Sequence, residues 1–119
     1  MKRAVITINK DYELELRYYD KDPSYKYFNR RFEIYLLKKT GFKKSYVLHM
    51  DNCDTREGRW APHIHKIPDV DRKLYFPATT INWNDIKKNL YECIIAEIGD
   101  DKCKNDVRKA VARIPSPKI

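Results

Sequence analysis

Glycine is scarce: three residues in a chain of 119. No segment reads as a phosphate-cradling glycine loop, a dinucleotide-binding glycine pattern or a serine-nucleophile elbow. The common nucleotide-binding and hydrolase motifs are therefore excluded. The three cysteines (Cys53, Cys93 and Cys103) are odd in number and contain no Cys-x-x-Cys, so no disulfide framework is expected. Apolar runs extend over a few residues, far short of a bilayer span. Met1-Lys2-Arg3-Ala4-Val5 lacks the apolar stretch of a secretory leader, and a cytoplasmic protein with no membrane contact is the expectation. Acidic residues are the minority, 17 against 25 Lys and Arg, which leaves a net charge of +8. Such an excess suits a polyanionic partner, nucleic acid or an acidic protein.

What is present is a pattern for one domain over residues 1–119. Ala4, Ile6 and Ile8 alternate, and so do Tyr12, Leu14, Leu16 and Tyr18, with Asn9-Lys10-Asp11 as the turn between them. A third strand is predicted at about 31–38 and a fourth at about 43–50, joined by Lys39-Thr40-Gly41. A short strand carries His63-Ile64-His65-Lys66-Ile67, and Lys73 to Phe76 could add another. The connections are too short for parallel crossovers. The period then changes. Ile86, Leu90, Cys93, Ile94 and Ile98 fall at helical spacing, Asn82 is the predicted N-cap and Gly99 the stop. The expected fold class is α+β: an antiparallel sheet of about five strands over residues 3–76, with one long C-terminal helix (about 83–98) packed on one face. A basic tail, 102–119, follows, with a weak helical pattern at Val107, Ala110, Val111 and Ile114.

Chemistry-bearing residues concentrate in one segment. All three histidines, His49, His63 and His65, lie between residues 49 and 65, together with Asp51, Asn52, Cys53, Arg56, Arg59 and Trp60. His63 and His65 are two apart on a predicted strand, so they leave the same face, and the return of the 51–62 loop permits Asp51 to join them. Three readings are open. One takes the histidines as ordinary polar residues of a loop. Another takes them as a metal-independent ribonuclease site: one imidazole takes the 2′-hydroxyl proton, the other protonates the leaving oxygen, and Arg56 or Arg59 steadies the phosphorane. Or His49, Cys53, His63 and His65 hold a metal, although their spacing matches no standard zinc finger.

A second signal is cationic and aromatic. From Arg17 to Lys44 run Arg17, Lys21, Lys26, Arg30, Arg31, Lys38, Lys39, Lys43 and Lys44 against Asp20, Asp22 and Glu33, which is nine cations minus three anions, or +6 of the total +8. Tyr25 and Tyr27 are interleaved. Cations on phosphates and rings on unpaired bases form the pattern of single-strand binders. Arg17, Lys26, Arg30, Arg31, Lys43, Lys44, Tyr25 and Tyr27 are the candidate nucleic-acid contacts.

The run Leu48-His49-Met50-Asp51-Asn52, then Gly58, then Pro62-His63-Ile64-His65, followed by an amphipathic helix, resembles the small TumE-type toxins of prokaryotic toxin–antitoxin pairs. The resemblance covers about residues 30–98. The segment Cys53-Asp54-Thr55-Arg56-Glu57 and the stretch from Pro68 to Thr80 depart from that pattern. The resemblance implies a toxin-like protein held inactive by a cognate antitoxin. The leading expectation is a small basic toxin-like protein acting on RNA, as a ribonuclease or by binding alone. His63, His65, Asp51, Arg56 and Arg59 form its site, with no cofactor. Its expected partners are RNA or another nucleic acid, a cognate antitoxin and a second copy of the chain. A non-catalytic module that binds nucleic acid or protein, and a histidine-based metal-binding domain, are the alternatives.

Overall fold

The computed structural model describes residues 1–25, 27–53, 62–67 and 82–118, and the backbone of 73–75. Lys26, Arg56, Gly58, Arg59 and Trp60 lie outside the described residues.

Alternating apolar residues and short turns produce an antiparallel meander. Its strands are β1 (Lys2–Thr7), β2 (Tyr12–Lys21), β3 (Arg30–Thr40), β4 (Lys43–Asp51), β5 (His63–Lys66) and β6 (Lys73–Tyr75). Their order in the sheet follows the chain, and each pairs antiparallel with the next. Two helices follow, α1 (Trp83–Ile98) and α2 (Lys104–Ala112). The α+β class and the antiparallel sheet are as expected. Two details fill out the expectation of about five strands and one long helix: the candidate strand at Lys73 to Phe76 forms over Lys73–Tyr75 as a sixth, and the weak helical pattern of the tail forms α2.

Local chemistry sets the boundaries. The Asn9 side chain accepts from the backbone N–H of Asp11 and Tyr12, closing the first hairpin. Gly41, at φ +62°, makes the two-residue turn between β3 and β4. Asn82 caps α1 by accepting from the N–H groups of Asn84 and Asp85. Gly99 ends it in the left-handed conformation, its N–H returning to the Ile95 carbonyl.

One face of the sheet builds the core. Leu14, Leu16, Ile34, Leu36, Leu48, Met50 and Ile64 from the strands meet Ile86, Leu90 and Ile94 of α1. Tyr12, which alternates with Leu14 and Leu16, is partly buried against the edge of this core. Val107, Ala110, Val111 and Ile114 are buried in the same core, so the basic tail docks on the domain through its apolar side. The Tyr18 hydroxyl donates to the Pro115 carbonyl at 2.5 Å, and the Lys87 ammonium to that of Ala112 at 3.2 Å. Phe28, Phe32 and Trp83 close one end edge-to-face, with ring centroids 5.4–5.9 Å apart.

The opposite face carries no helix among the described residues. It is polar, and its acids are buried nonetheless: Glu13, Glu15, Glu33 and Asp51 are each less than a tenth exposed. A buried carboxylate requires partners. Arg3 and Arg17 both hydrogen-bond Glu15, Lys44 pairs with Glu13 at 2.6 Å, and Arg31 pairs with Glu33 at 2.9 Å. This charged lattice leads across the strands to the histidines.

Candidate functional site

The site is assembled by register. In the β4–β5 pair, His49 stands opposite His65 and Asp51 opposite His63. In the β3–β4 pair, Tyr35 stands opposite His49 and Glu33 opposite Asp51. Residues directly opposite in antiparallel strands share a face, so three strands put three imidazoles, two carboxylates and a phenol on one polar surface.

Asp51 is the hub. Its Oδ1 accepts the Cys53 N–H at 2.7 Å and lies 3.2 Å from His63 Nε2. Its Oδ2 lies 3.2 Å from His49 Nε2 and 3.8 Å from His65 Nε2. All three histidines thus turn Nε2 toward one carboxylate. The rings also touch one another. His63 meets His65 edge-to-face at 4.6 Å, and His49 stacks on His65 at 5.6 Å. Tyr35 lies flat on His49 at 4.3 Å and 6°.

Depth separates the histidines. His63 is 1% exposed and His65 8%, whereas the His49 side chain is 22% exposed. His63 lies deepest, and His49 and His65 form the outer pair, with Asp51 exposed to the same small extent as His65. Burial lowers the His49 pKa, and its carboxylate neighbours Asp51 and Glu33 oppose that only in part, so its imidazole favours the neutral form. The 3.2 Å approach of His49 Nε2 to Asp51 does not have the direction of a hydrogen bond. That nitrogen is buried with no hydrogen-bond partner among the described residues.

Glu33 backs the site. Burial pushes its carboxyl up, but hydrogen bonds from the Tyr35 and Tyr19 hydroxyls, together with the positive charge of the Arg31 guanidinium, outweigh that and hold it below the usual range. Its Oε2 lies 4.0 Å from His49 Nε2. Arg17 lies over the Tyr35 ring at 4.8 Å and reaches Glu33 at 4.0 Å. Arg17 and Arg31 therefore border the histidines through Glu33 and Tyr35.

Several expected contacts fall elsewhere. Arg30 lies over the Tyr18 ring at 5.9 Å, on the core side of β3, so the neighbours Arg30 and Arg31 belong to opposite faces. Lys43 and Lys44 begin β4, seven or eight residues before Asp51, which is about 23–26 Å along a strand. Tyr27 packs against the core, and the hydroxyl of half-buried Tyr25 is 4.0 Å from Cys53 Sγ. Cys53 is not among the described side chains that converge as metal donors, which are His49, Asp51 and His65. Arg56 and Arg59 lie outside the described residues. Asn52, beside the hub, is architectural: fully buried, it accepts from Phe32 N–H at 3.0 Å and donates to the Arg30 carbonyl at 2.8 Å.

Glu33, Tyr35 and Tyr19 were not among the expected site residues. For Glu33 and Tyr35 the signal is the phase of β3: Arg31, Glu33 and Tyr35 alternate with the core residues Phe32, Ile34 and Leu36, and so share the face of His49 and Asp51, and Tyr19 follows the same alternation in β2 with Glu15 and Arg17.

Comparison of the chain with protein-family models, with curated proteins and with solved structures finds no match.

Proposed function

We propose that the chain acts on RNA as a small ribonuclease of the toxin type, with the His49–Asp51–His63–His65 cluster as its reaction centre. The observation that carries this reading is the convergence of three imidazoles on one buried carboxylate, with Arg31 and Arg17 at its border. Side chains that could serve structure alone have no need of such a cluster, since apolar residues of similar volume stabilise a sheet face at least as well. The net charge of +8 supplies the general attraction to a polyanion.

In the reaction, the RNA 2′-oxygen forms a bond to phosphorus and loses its proton. The bond from phosphorus to the 5′-oxygen breaks, and that oxygen gains a proton. The substrate phosphate lies over the outer pair, His49 and His65. Arg31 and Arg17 face the added negative charge, and Asp51 and His63 hold the outer rings in place as positioning residues. The sequence-based assignment to His63 and His65 is refined by depth: His63, 1% exposed, supports the site from below. The toxin role rests on the resemblance at Asp51-Asn52 and Pro62-His63-Ile64-His65.

The test is cleavage of an end-labelled single-stranded RNA by untagged protein. Wild type cleaves it, and His65→Ala loses about 10²–10⁴-fold in rate, the usual contribution of an acid–base or equivalent group. A wild-type protein that leaves RNA intact and does not bind it at low salt removes the reading. Salt-sensitive binding without cleavage replaces it with the non-catalytic module.

A further inference from the structure

We infer that His49, His65 and Asp51 form a binding site for one first-row divalent transition metal ion, a site that stands whether or not RNA is the substrate. His49 Nε2 and His65 Nε2 both face Asp51 Oδ2, at 3.2 and 3.8 Å, and all three donor atoms lie within 4.8 Å of one another. Donors held about 2.0–2.2 Å from zinc at tetrahedral angles stand about 3.3–3.5 Å apart. The set therefore closes on an ion with a shift of one ring by little more than 1 Å.

Three further observations favour a cation over a simple hydrogen-bonded cluster. His49 Nε2 is buried without a hydrogen-bond partner among the described residues, although a carboxylate oxygen is 3.2 Å away. An imidazole nitrogen 3.2 Å from an anionic oxygen with no hydrogen bond between them gains nothing from that approach, and a metal ion between them would give each a bond. The ligands are also braced. Asp51 Oδ1 is held by the Cys53 N–H and faces His63 Nε2, which leaves Oδ2 to the ion, and Tyr35 fixes the His49 ring by stacking. Such outer partners are what orient metal ligands. Finally, all three donors sit on one paired ladder, with His49 opposite His65 and Asp51 two residues along β4. Ligands on adjacent strands need little ordering on binding.

The donor set selects the ion class. Two imidazoles and one carboxylate suit zinc, iron(II), cobalt(II) or nickel(II), and suit magnesium and calcium poorly. Three protein donors leave the remaining positions open to water or substrate, the mark of a catalytic rather than a structural site. Glu33, 4.0 Å from His49 Nε2, is held by Tyr19, Tyr35 and Arg31 and acts on the ion through its charge.

The experiment is a titration of untagged, chelator-stripped protein with cobalt(II), read by its visible absorption, and with zinc, read by competition with an indicator dye. Wild type binds one ion per chain. Asp51→Asn, His49→Gln and His65→Gln each weaken it at least 100-fold while circular dichroism keeps the wild-type fold. His63→Gln keeps the stoichiometry with a loss of about 10–100-fold, the range for an outer partner. Magnesium does not compete. Folded wild-type protein that takes up neither ion at 100 μM overturns the inference, as does equal uptake by wild type and the three ligand variants. RNA cleavage by protein that takes up neither ion refutes the metal while leaving the proposed function standing. Stoichiometric metal with no RNA cleavage does the reverse.

Discussion

Asn52→Ala separates architecture from function at two adjacent residues. At the Asp51 end of the sheet, β3 runs past the end of β4: the last β3–β4 pair is Glu33 with Asp51, yet β3 begins at Arg30. The backbone of residues 30–32 would face a missing strand. The Asn52 side chain fills that place, accepting from Phe32 N–H and donating to the Arg30 carbonyl as a ladder rung would. Asn52 is fully buried, so neither group can turn to bulk water after truncation. An abandoned buried backbone group costs about 1–3 kcal/mol, and two give about 2–6 kcal/mol. A domain of this size holds about 6–18 kcal/mol in total, and each kcal/mol moves the melting temperature by about 3–6 °C. Asn52→Ala should therefore melt at least about 6 °C below wild type, with the urea midpoint lowered and its slope unchanged. Asp51→Asn keeps an oxygen to accept the Cys53 N–H and should stay within about 1 kcal/mol of wild type. A loss below 0.5 kcal/mol for Asn52→Ala would refute the ladder argument, and a larger loss for Asp51→Asn would make the hub a structural residue.

Further outcomes follow from the same structure. Burial pushes the Glu15 carboxyl up, but the Arg3 and Arg17 hydrogen bonds prevail and its pKa lies below the ordinary 4.5. Its stabilisation is therefore complete above about pH 4.5 and lost as pH falls through the lower folded value. Glu15→Gln should be less stable than wild type at pH 7, with the gap in urea midpoint closing in acid, and a gap constant down to pH 2 would contradict this. Leu90→Ala removes a fully buried side chain of α1 and should cost about 2–5 kcal/mol by urea denaturation; a cost below 1 kcal/mol would mean that α1 is not core. Arg31→Glu borders the histidines and should weaken RNA binding more than Arg30→Glu, which reverses a charge on the other face. Equal losses by fluorescence anisotropy would show diffuse electrostatics rather than a bordered site.

Much of this fold is legible in the residues. Period-two alternation places Leu14, Leu16, Ile34 and Leu36 in the core, and Asn82 and Gly99 mark α1 by their capping chemistry. The relation of His63 to His65 follows from the strand period alone. The relation of β3 to β4 does not. Counting back from the Gly41-Phe42 turn pairs Thr40 with Lys43 and Leu37 with Tyr46, and an unbroken ladder would then set Glu33 opposite Met50. That would put a carboxylate on the core face or a methionine on the polar one. A bulge after Leu36 shifts the register, so that Leu36 meets Leu48 and Glu33 meets Asp51. One inserted residue thus brings Glu33 and Tyr35 to the histidines, and only the hydrophobic phase of the two strands hints at it. The cationic stretch misleads for a related reason. Composition counts the full charge of Arg17, Arg31 and Lys44, whereas in the folded sheet each also pairs with a buried glutamate, which cancels part of the field it presents to a polyanion.

The central claim is that the Asp51-centred cluster is where chemistry happens, and Asp51→Asn tests it most directly. The measurement is the single-turnover rate of cleavage of end-labelled RNA by wild type and by Asp51→Asn, with thermal melts of both. The account predicts a rate loss of at least about 100-fold with nearly unchanged melting, because the substitution removes the carboxylate charge that three imidazoles face and leaves the sheet intact. Wild-type cleavage by a folded Asp51→Asn protein would contradict it.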